Sequence, residues 1–590
     1  MTTTRMHDEE NNVEAGTGTE AELEPKTGNE TETGEGSLLY GPDDVPPLRI
    51  FIPVAFQQTM ANIAGIIFFG YIIGDIVCAE PDDPLRAKIV STTLFMAGVC
   101  TALQSVFGIR LPIFQGPASA YIVPLIALQN TDAWQYQRPT ITLLVLLISS
   151  SLFLIIFHTK TSFFSESHLQ GSLITAALVE TALGGFGLVG LVVRFVGPIT
   201  VSVTTILISL TLVKVTAELC MASWPIAILS LALVVIFATY LRNIQTPIPT
   251  AISNRRLVIT KVPLFKCLPV LLAAVISWLL CYILTATNQF SADPSAPGFA
   301  ARTDAKKLVL SSTPWFYFPY PGQFGLPNFN TAVFIGFLAG VFSSIVESVG
   351  DYHIASNMCQ APPPPRHAIN RGIFVEGLGS VLSGLYGAGH ATTSYTVDIA
   401  LISIIKVGSR YNTVGTGVLC IILASIGKFG AFLATIPEPV LGGQLIFSLG
   451  LMTIVGISTL RLVDLQSSRN LAILGVSLYT GLVVPNFIQN HSKTIDTGYV
   501  TLDQVITVIL GTPMLIGAVI SILLDNTVKG TDAMRGIRRT AVEEALRSKD
   551  AAGRPESVYE FPWLDKIITR HPFLTYLPFI QPQREKTWIV

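Results

Sequence analysis

Charge is scarce in this chain. Asp, Glu, Lys and Arg make up 13% of its 590 residues, half of the residues are hydrophobic, and the mean hydropathy is +0.56. That excludes an ordinary soluble domain, in which about a quarter of the residues are charged. Cysteine is thin as well. Cys78, Cys100, Cys220, Cys267, Cys281, Cys359 and Cys420 are scattered, mostly within apolar stretches, which argues against a disulfide framework or a cysteine metal site and predicts small core residues. No glycine-rich phosphate loop or other nucleotide-binding motif occurs, so an ATP-driven pump and an enzyme are not expected. With a net charge of −2, no nucleic-acid partner is expected either.

What charge there is lies at the ends. Residues 1–45 hold twelve acidic and two basic side chains and almost nothing apolar, a composition that cannot bury a core and predicts a disordered tail. No apolar core with a small-residue cleavage site lies there, so the first spanning helix is expected to target the chain.

What fills the rest is apolar length. Runs of about 20 residues, enough for a helix to cross a ~30 Å hydrocarbon core, lie near 50–77, 88–108, 139–158, 171–191, 195–215, 223–241, 264–286, 331–352, 369–387, 411–433, 436–458, 468–488 and 502–524. The chain reads as an all-α polytopic membrane protein. Two more runs are interrupted: 110–128 by Gly116-Pro117 and Pro124, and 387–405 by a first half of Gly, His, Thr and Ser. Neither could stand as one lipid-facing helix without unpaired backbone groups. Paired broken segments at matching places in two halves point to a transporter site. Each is third in its half if 140–158 is set aside, which leaves seven segments plus seven.

Loop charge supports setting it aside. With the N-terminus inside and 140–158 not crossing, the basic loop 241–261, Arg461, Arg469 and the tail from Lys529 all fall on the cytoplasmic side, as the positive-inside rule requires. The sequon Asn490-His491-Ser492 then falls outside and is a glycosylation candidate.

Within 331–352 stand two acids, Glu347 and Asp351, one helical turn apart and so on one face. A carboxylate inside a bilayer costs several kcal/mol unless it faces a cavity with partners, so intramembrane acids read as functional. Gln57 and Gln58 fall mid-span in the first segment, where amides either serve a solute or bond helix to helix.

The stretches "FGIRLPIFQGPASAYIVP" (107–124), "ESVGDY" (347–352), "APPPPRHAINRGIFVEGLGSVLSGLYGAGH" (361–390), "KVGSR" (406–410) and "YEFPWLDKIITRHPFLTYLPFI" (559–580) carry a resemblance over nearly all of 48–585. The chain resembles the nucleobase–ascorbate transporter family, in its sodium-dependent vitamin C transporter branch, the solute carrier family 23 type. The resemblance implies fourteen segments as two inverted repeats of seven, with short strands in the broken third and tenth. It further implies a plasma-membrane homodimer with both termini cytoplasmic and no cofactor beyond sodium or a proton as coupling ion.

The implied plan along the chain is an acidic cytoplasmic tail at 1–47, core segments at 48–137 and 169–191, and an atypical apolar insertion at 138–168. Gate segments follow at 192–288, an extracellular loop at 289–330, core segments at 331–433, gate segments at 434–526 and a cytoplasmic tail at 527–590.

The implied site is Glu347 on the solute, with Gln57, Gln58, Ala118, Ser119, Val397 and Asp398 around it, and Asp351 and Asp398 for ion coupling, sodium included. Gly116, Ala118 and Ser119 are small enough for backbone donors to approach a ligand, and the N-termini of both half-helices favour an anionic or enolate-bearing solute. Departures from the family pattern bear on the cargo. Gln58 replaces an expected His, Val397 cannot make the paired contact to a base that Gln or Glu makes, Asp398 stands for Asn, and Ile405 stands for Thr. The expected function is a cation-coupled carrier of a small polar ring solute, ascorbate-like. The alternatives are a nucleobase or urate carrier, or a non-transporting receptor or assembly paralogue. His390, ahead of the second half-helix, reads as a lining residue or a solvated turn.

Overall fold

A computed structural model of the chain describes residues 38–77, 79, 83–129, 151–190, 195–253, 256–262, 264–293, 296–491, 495–531, 534–536, 558–561, 564, 567, 570–571 and 577–580. The tail to residue 37 and the stretch 138–150 lie outside them. Among the described residues, seven helices are long and apolar enough to cross a membrane, eight if one bent pair counts as a span.

The first three segments are α1 (Leu48–Ile76), α2 (Pro84–Val106) and a strand with a half-helix, β1 (Gln115–Pro117) and α3 (Ser119–Gln129). α2 begins where Asp83 accepts from the Leu85 amide at 2.8 Å and Pro84 takes the first helical position, whose amide would be unpaired anyway.

α4 (Ser151–Gly185) crosses the expected boundary between 168 and 169 without a break. At ~1.5 Å per residue its 35 residues span about 52 Å. Its first sixteen residues precede the level at which it meets the segment before the eighth span, where the Asn328 amide donates to the Ser167 carbonyl at 2.9 Å.

Next come α5 (Pro198–Thr211), α6 (Val213–Met221) and α7 (Trp224–Val235), the last continued by a π-helical turn, Ile236–Tyr240. The basic loop is a hairpin of β2 (Thr246–Ser253) and β3 (Arg256–Val262), followed by α8 (Leu264–Cys267) and α9 (Pro269–Ala286). A short helix, α10 (Lys307–Ser312), lies in the long loop.

The second half opens with α11 (Thr331–Met358), whose start is capped by Asn330 accepting from the amides of Ala332 and Val333 at 3.0 and 3.1 Å. α12 (Arg366–Tyr386) stops at Gly387, which takes the left-handed φ of 70° that a side chain would resist. β4 (Thr392–Ser394) and α13 (Thr396–Ile405) form the second strand and half-helix. They are followed by α14 (Arg410–Ser425), α15 (Gly427–Ala434), α16 (Glu438–Thr459), α17 (Ser468–Asn490), α18 (Val500–Leu510) and α19 (Pro513–Thr527).

Three runs that read as single spans are therefore broken, at Leu268, Ile426 and Gly511-Thr512, the last with a bend of 70°. Two of the breaks have a plain cause: Pro269 and Pro513 open new helices because proline lacks the amide that would continue the old one.

The helices pack in two groups. One holds α1–α4 and α11–α15, with α4 against α12 and α2 against α14; the other holds α5–α7, α9, α16, α17 and α19, centred on α5 and α16. α18 touches α3 and α11 of the first group. The α2–α14 crossing rests on paired glycines: a Cβ on Gly98 would stand 2.5 Å from the Gly417 carbonyl oxygen, and one on Gly417 would stand 2.6 Å from that of Gly98. Only bare backbone fits there. Cys100, Cys220, Cys281, Cys359 and Cys420 are buried and free.

Candidate functional site

The two broken segments meet. β1 and β4 pair antiparallel, Gln115 opposite Ser394, Gly116 opposite Thr393 and Pro117 opposite Thr392, and the Ala118 amide donates to the Ala391 carbonyl at 3.0 Å. Each strand thereby satisfies backbone groups that no lipid could. α3 and α13 start directly after the strands, so both present the first amides of a helix, which have no intrahelical acceptor, beside the same two-stranded ribbon.

Tyr395 lies across this junction. A Cβ on Gly116 would meet its ring at 2.3 Å, and its hydroxyl donates to the Pro117 carbonyl at 3.1 Å. Glu347, half-buried on α11, acts electrostatically on Tyr395, and its Oε2 is buried with no hydrogen-bond partner.

Asp351 is placed differently. It is 2% exposed and fully engaged, Oδ2 accepting from Ser394 Oγ and Oδ1 from Thr396 Oγ1, both at 2.8 Å. The acid one turn from Glu347 thus fastens the end of β4 and the start of α13 to α11.

Asp398 turns the other way. It is buried and accepts from Asn62 Nδ2 of α1 at 3.2 Å, near Cys420 of α14. Thr396 and Asp398 are about 200° apart at ~100° per residue, so the bond from Thr396 to Asp351 sends Asp398 to the α1 side. The structure brings Glu347 and Asp351 together, while Asp398 bonds Asn62 through Oδ1 and keeps Oδ2 buried and unpartnered. Among the described residues, no group of three His, Cys, Asp or Glu side chains is placed to hold a metal ion.

The first-segment amides divide as well. Gln57 is buried with Nε2 unpartnered. Gln58 Oε1 accepts from Asn412 Nδ2 at 3.0 Å and Thr416 Oγ1 at 2.7 Å, both on α14, so of its two readings the helix-to-helix bond is the one observed. Ala118 is buried with its amide spent on Ala391, and Ser119 is half-buried as the first residue of α3. Val397 is second in α13; its side chain lies outside the described residues. His390 is fully buried, with Nδ1 2.9 Å from the Ala391 carbonyl oxygen and Nε2 3.1 Å from Thr93 Oγ1. It is no solvated turn residue. Asn490 is exposed at the last position of α17, while Ser492 of its sequon lies outside the described residues.

Sequence reasoning missed the acids behind the site. Glu376 of α12 is 2% exposed; its Oε1 accepts from Ser348 Oγ at 2.6 Å and Ser344 Oγ at 3.2 Å, and its Oε2 from Tyr352 OH at 2.9 Å. Ser394 Oγ also lies 3.1 Å from Ser348 Oγ, and Gln104 Nε2 donates to Tyr352 OH at 2.6 Å. A continuous polar chain thus runs from Asp351 through Ser394, Ser348, Glu376 and Tyr352 to Gln104. Glu180 of α4, fully buried, accepts from Tyr121 OH at 3.3 Å. Both glutamates lie mid-span in apolar sequence, the same signal that singled out Glu347.

Broken helices meeting at a polar junction beside intramembrane acids are the arrangement in which secondary transporters place their binding sites. The Permease family profile matches residues 49–489. Solute carrier family 23 member 2 of Rattus norvegicus is 38% identical over 551 residues, covering 93% of this chain and 84% of that protein. The chain belongs to solute carrier family 23. This is a family of transporters and not of enzymes. Member 1 of this family from Mus musculus is 35% identical, covering 92% of the chain and 88% of that protein. The plant branch of the family matches too: nucleobase-ascorbate transporter 12 of Arabidopsis thaliana is 30% identical over 573 residues, covering 89% and 74%. Among solved structures, the transmembrane domain of the cyanobacterium bicarbonate transporter BicA aligns with 80% of the chain and 97% of its own length, with a TM-score of 0.41 and 13% identity.

Proposed function

We propose that this family member is a secondary active carrier that moves a small polar ring solute, ascorbate-like, across the plasma membrane, driven by a cation. The observation that carries this reading is Glu347 Oε2, a buried carboxylate oxygen left without a partner beside the junction of the two broken segments. Such an atom costs free energy until something donates to it. A ring hydroxyl or amide of the solute is that donor.

Cation coupling is supported by charge. Asp351 and Glu376 act on Glu347, and among the described residues no basic side chain offsets them. Adjacent carboxylates in a low dielectric call for a sodium ion or a proton. The hydroxyls of Thr393, Ser394 and Thr396 supply the hard oxygens that sodium takes as ligands.

The same reading organises the chain as fourteen segments in two inverted sets of seven, with β1–α3 and β4–α13 third in each. Residues 48–137, 169–191 and 331–433 form a core that moves against a gate of 192–288 and 434–526. Two such chains pair as a homodimer, 138–168 is an insertion, 289–330 is extracellular, and the tails 1–47 and 527–590 are cytoplasmic. The two packing groups and the loop charges support that division.

The test is uptake of radiolabelled ascorbate, urate, xanthine and uracil into oocytes, with and without sodium, by the wild type and Glu347→Gln. Sodium-dependent ascorbate uptake that falls about 100-fold in the variant, at equal surface abundance, is expected. Preference for a base would move the cargo to the nucleobases or urate. Binding without uptake would make the chain a receptor.

A further inference from the structure

Away from the solute site, a groove of 340 Å³ runs between α2 and α12 under the C-terminal tail. Leu103 and Phe107 form one wall, Arg371, Phe374 and Leu378 the other, and Phe579 stacks on Phe374 at 4.9 Å between centroids to roof it. Apart from Arg371 these are apolar side chains, and Phe107 and Leu378 open outward, 50% and 39% exposed.

The polar end of the groove is built from Arg371, which is 5% exposed. Its Nε donates to the Gly108 carbonyl and its Nη2 to the Tyr559 carbonyl, each at 2.7 Å, but its Nη1 has no acceptor. The guanidinium lies 4.6 Å from the centre of the Phe561 ring, and Arg110 lies on the same ring at 4.5 Å with its own Nε buried and unpartnered. Of the acids nearby, Asp43 pairs with Arg410 at 2.5 Å. Two buried cations therefore share one aromatic ring and, among the described residues, no carboxylate pairs with either, an arrangement that costs free energy until an anion arrives.

Polarity then falls along the groove. From Arg371 to Leu378 is seven residues, two helical turns or about 10.5 Å, from cation to apolar mouth. That gradient is the outline of an amphiphile lying along a transmembrane helix.

We propose that this groove binds an anionic glycerophospholipid of the bilayer, its headgroup at Arg371 and an acyl chain along Phe374 and Leu378, so that the lipid wedges the tail against α2 and α12. The experiment is native mass spectrometry of the full chain, delipidated and re-exposed to equal phosphatidylserine and phosphatidylcholine with identical acyl chains. Retention of phosphatidylserine about fivefold over phosphatidylcholine is expected. Leu378→Trp fills the groove from its outer rim without touching the guanidinium and loses both lipids. Phe107→Glu, also at the rim, loses only the preference for the anionic lipid. Glycerol 3-phosphate, the soluble headgroup alone, does not displace either lipid. Equal retention of the two lipids by the wild type, unchanged retention in Leu378→Trp, or displacement by glycerol 3-phosphate would each overturn the proposal.

Discussion

α11 and α17 are both long apolar helices, with mean hydropathies of 1.9 and 1.8 over their best windows, yet 72% of that window is buried in α11 and 28% in α17. The difference lies in what interrupts the apolar residues. α11 buries Ser344, Ser348 and Asp351 against β4 and α12, whereas α17 turns Leu471, Val476, Tyr479, Val483 and Phe487 outward. In water an apolar face must find a partner, but in lipid it need not, and hydropathy alone cannot say which helix is interior. The polar interruptions say it, because each needs a protein partner.

The sharpest way to break this contrast is at the reciprocal glycine approach inside the buried group. Gly417→Leu places a side chain where a Cβ alone would stand 2.6 Å from the Gly98 carbonyl. The expected cost is about 3 kcal/mol or more, seen as loss of the monodisperse peak in size-exclusion chromatography of the tagged protein. A melting temperature equal to wild type would mean that α2 and α14 are not held as described. A smaller effect is expected from Asp351→Ala, which strips the acceptor from Ser394 and Thr396. Thr396 Oγ1 loses its acceptor and Ser394 Oγ keeps only Ser348, at a cost of about 1–2 kcal/mol, measured as a lower melting temperature in detergent, with Asp351→Asn recovering about half of the loss because its amide oxygen still accepts. If both variants melt alike, the carboxylate is not fastening β4 to α11. The smallest effect belongs to the lipid-facing helix: Tyr479→Ala, at a side chain 73% exposed, is expected to shift stability by less than about 0.5 kcal/mol, read from the same melts.

Much of this was readable in the residues. The spans follow from apolar length, the two broken segments from Gly116-Pro117 and the Gly, His, Thr and Ser before α13, and Glu347 from the price of a charge in lipid. Pro269 and Pro513 could also have been read as helix starts, and Glu180 and Glu376 as intramembrane acids, by rules already applied to their neighbours. Other features were out of reach for a physical reason. Gln58 Oε1 is engaged by Asn412 and Thr416, more than 350 positions away, and nothing local distinguishes an amide awaiting a solute from one awaiting a helix. The direction of Asp398 depends on which face of α13 Thr396 turns to Asp351, and that register is set by tertiary contact rather than by the first turn itself.

α4 carries a consequence for how the chain is made. A straight rod of about 52 Å cannot have both ends at the faces of a ~30 Å hydrocarbon core at the tilts membrane helices adopt, which stay below about 40°. Part of it must emerge from the lipid. Its first eight residues, 151–158, close the apolar run 139–158, which is long enough to be taken for a spanning signal during insertion. A chain that inserted this run as a crossing would reverse the sidedness of every segment after it and turn the basic loop 241–261 outward.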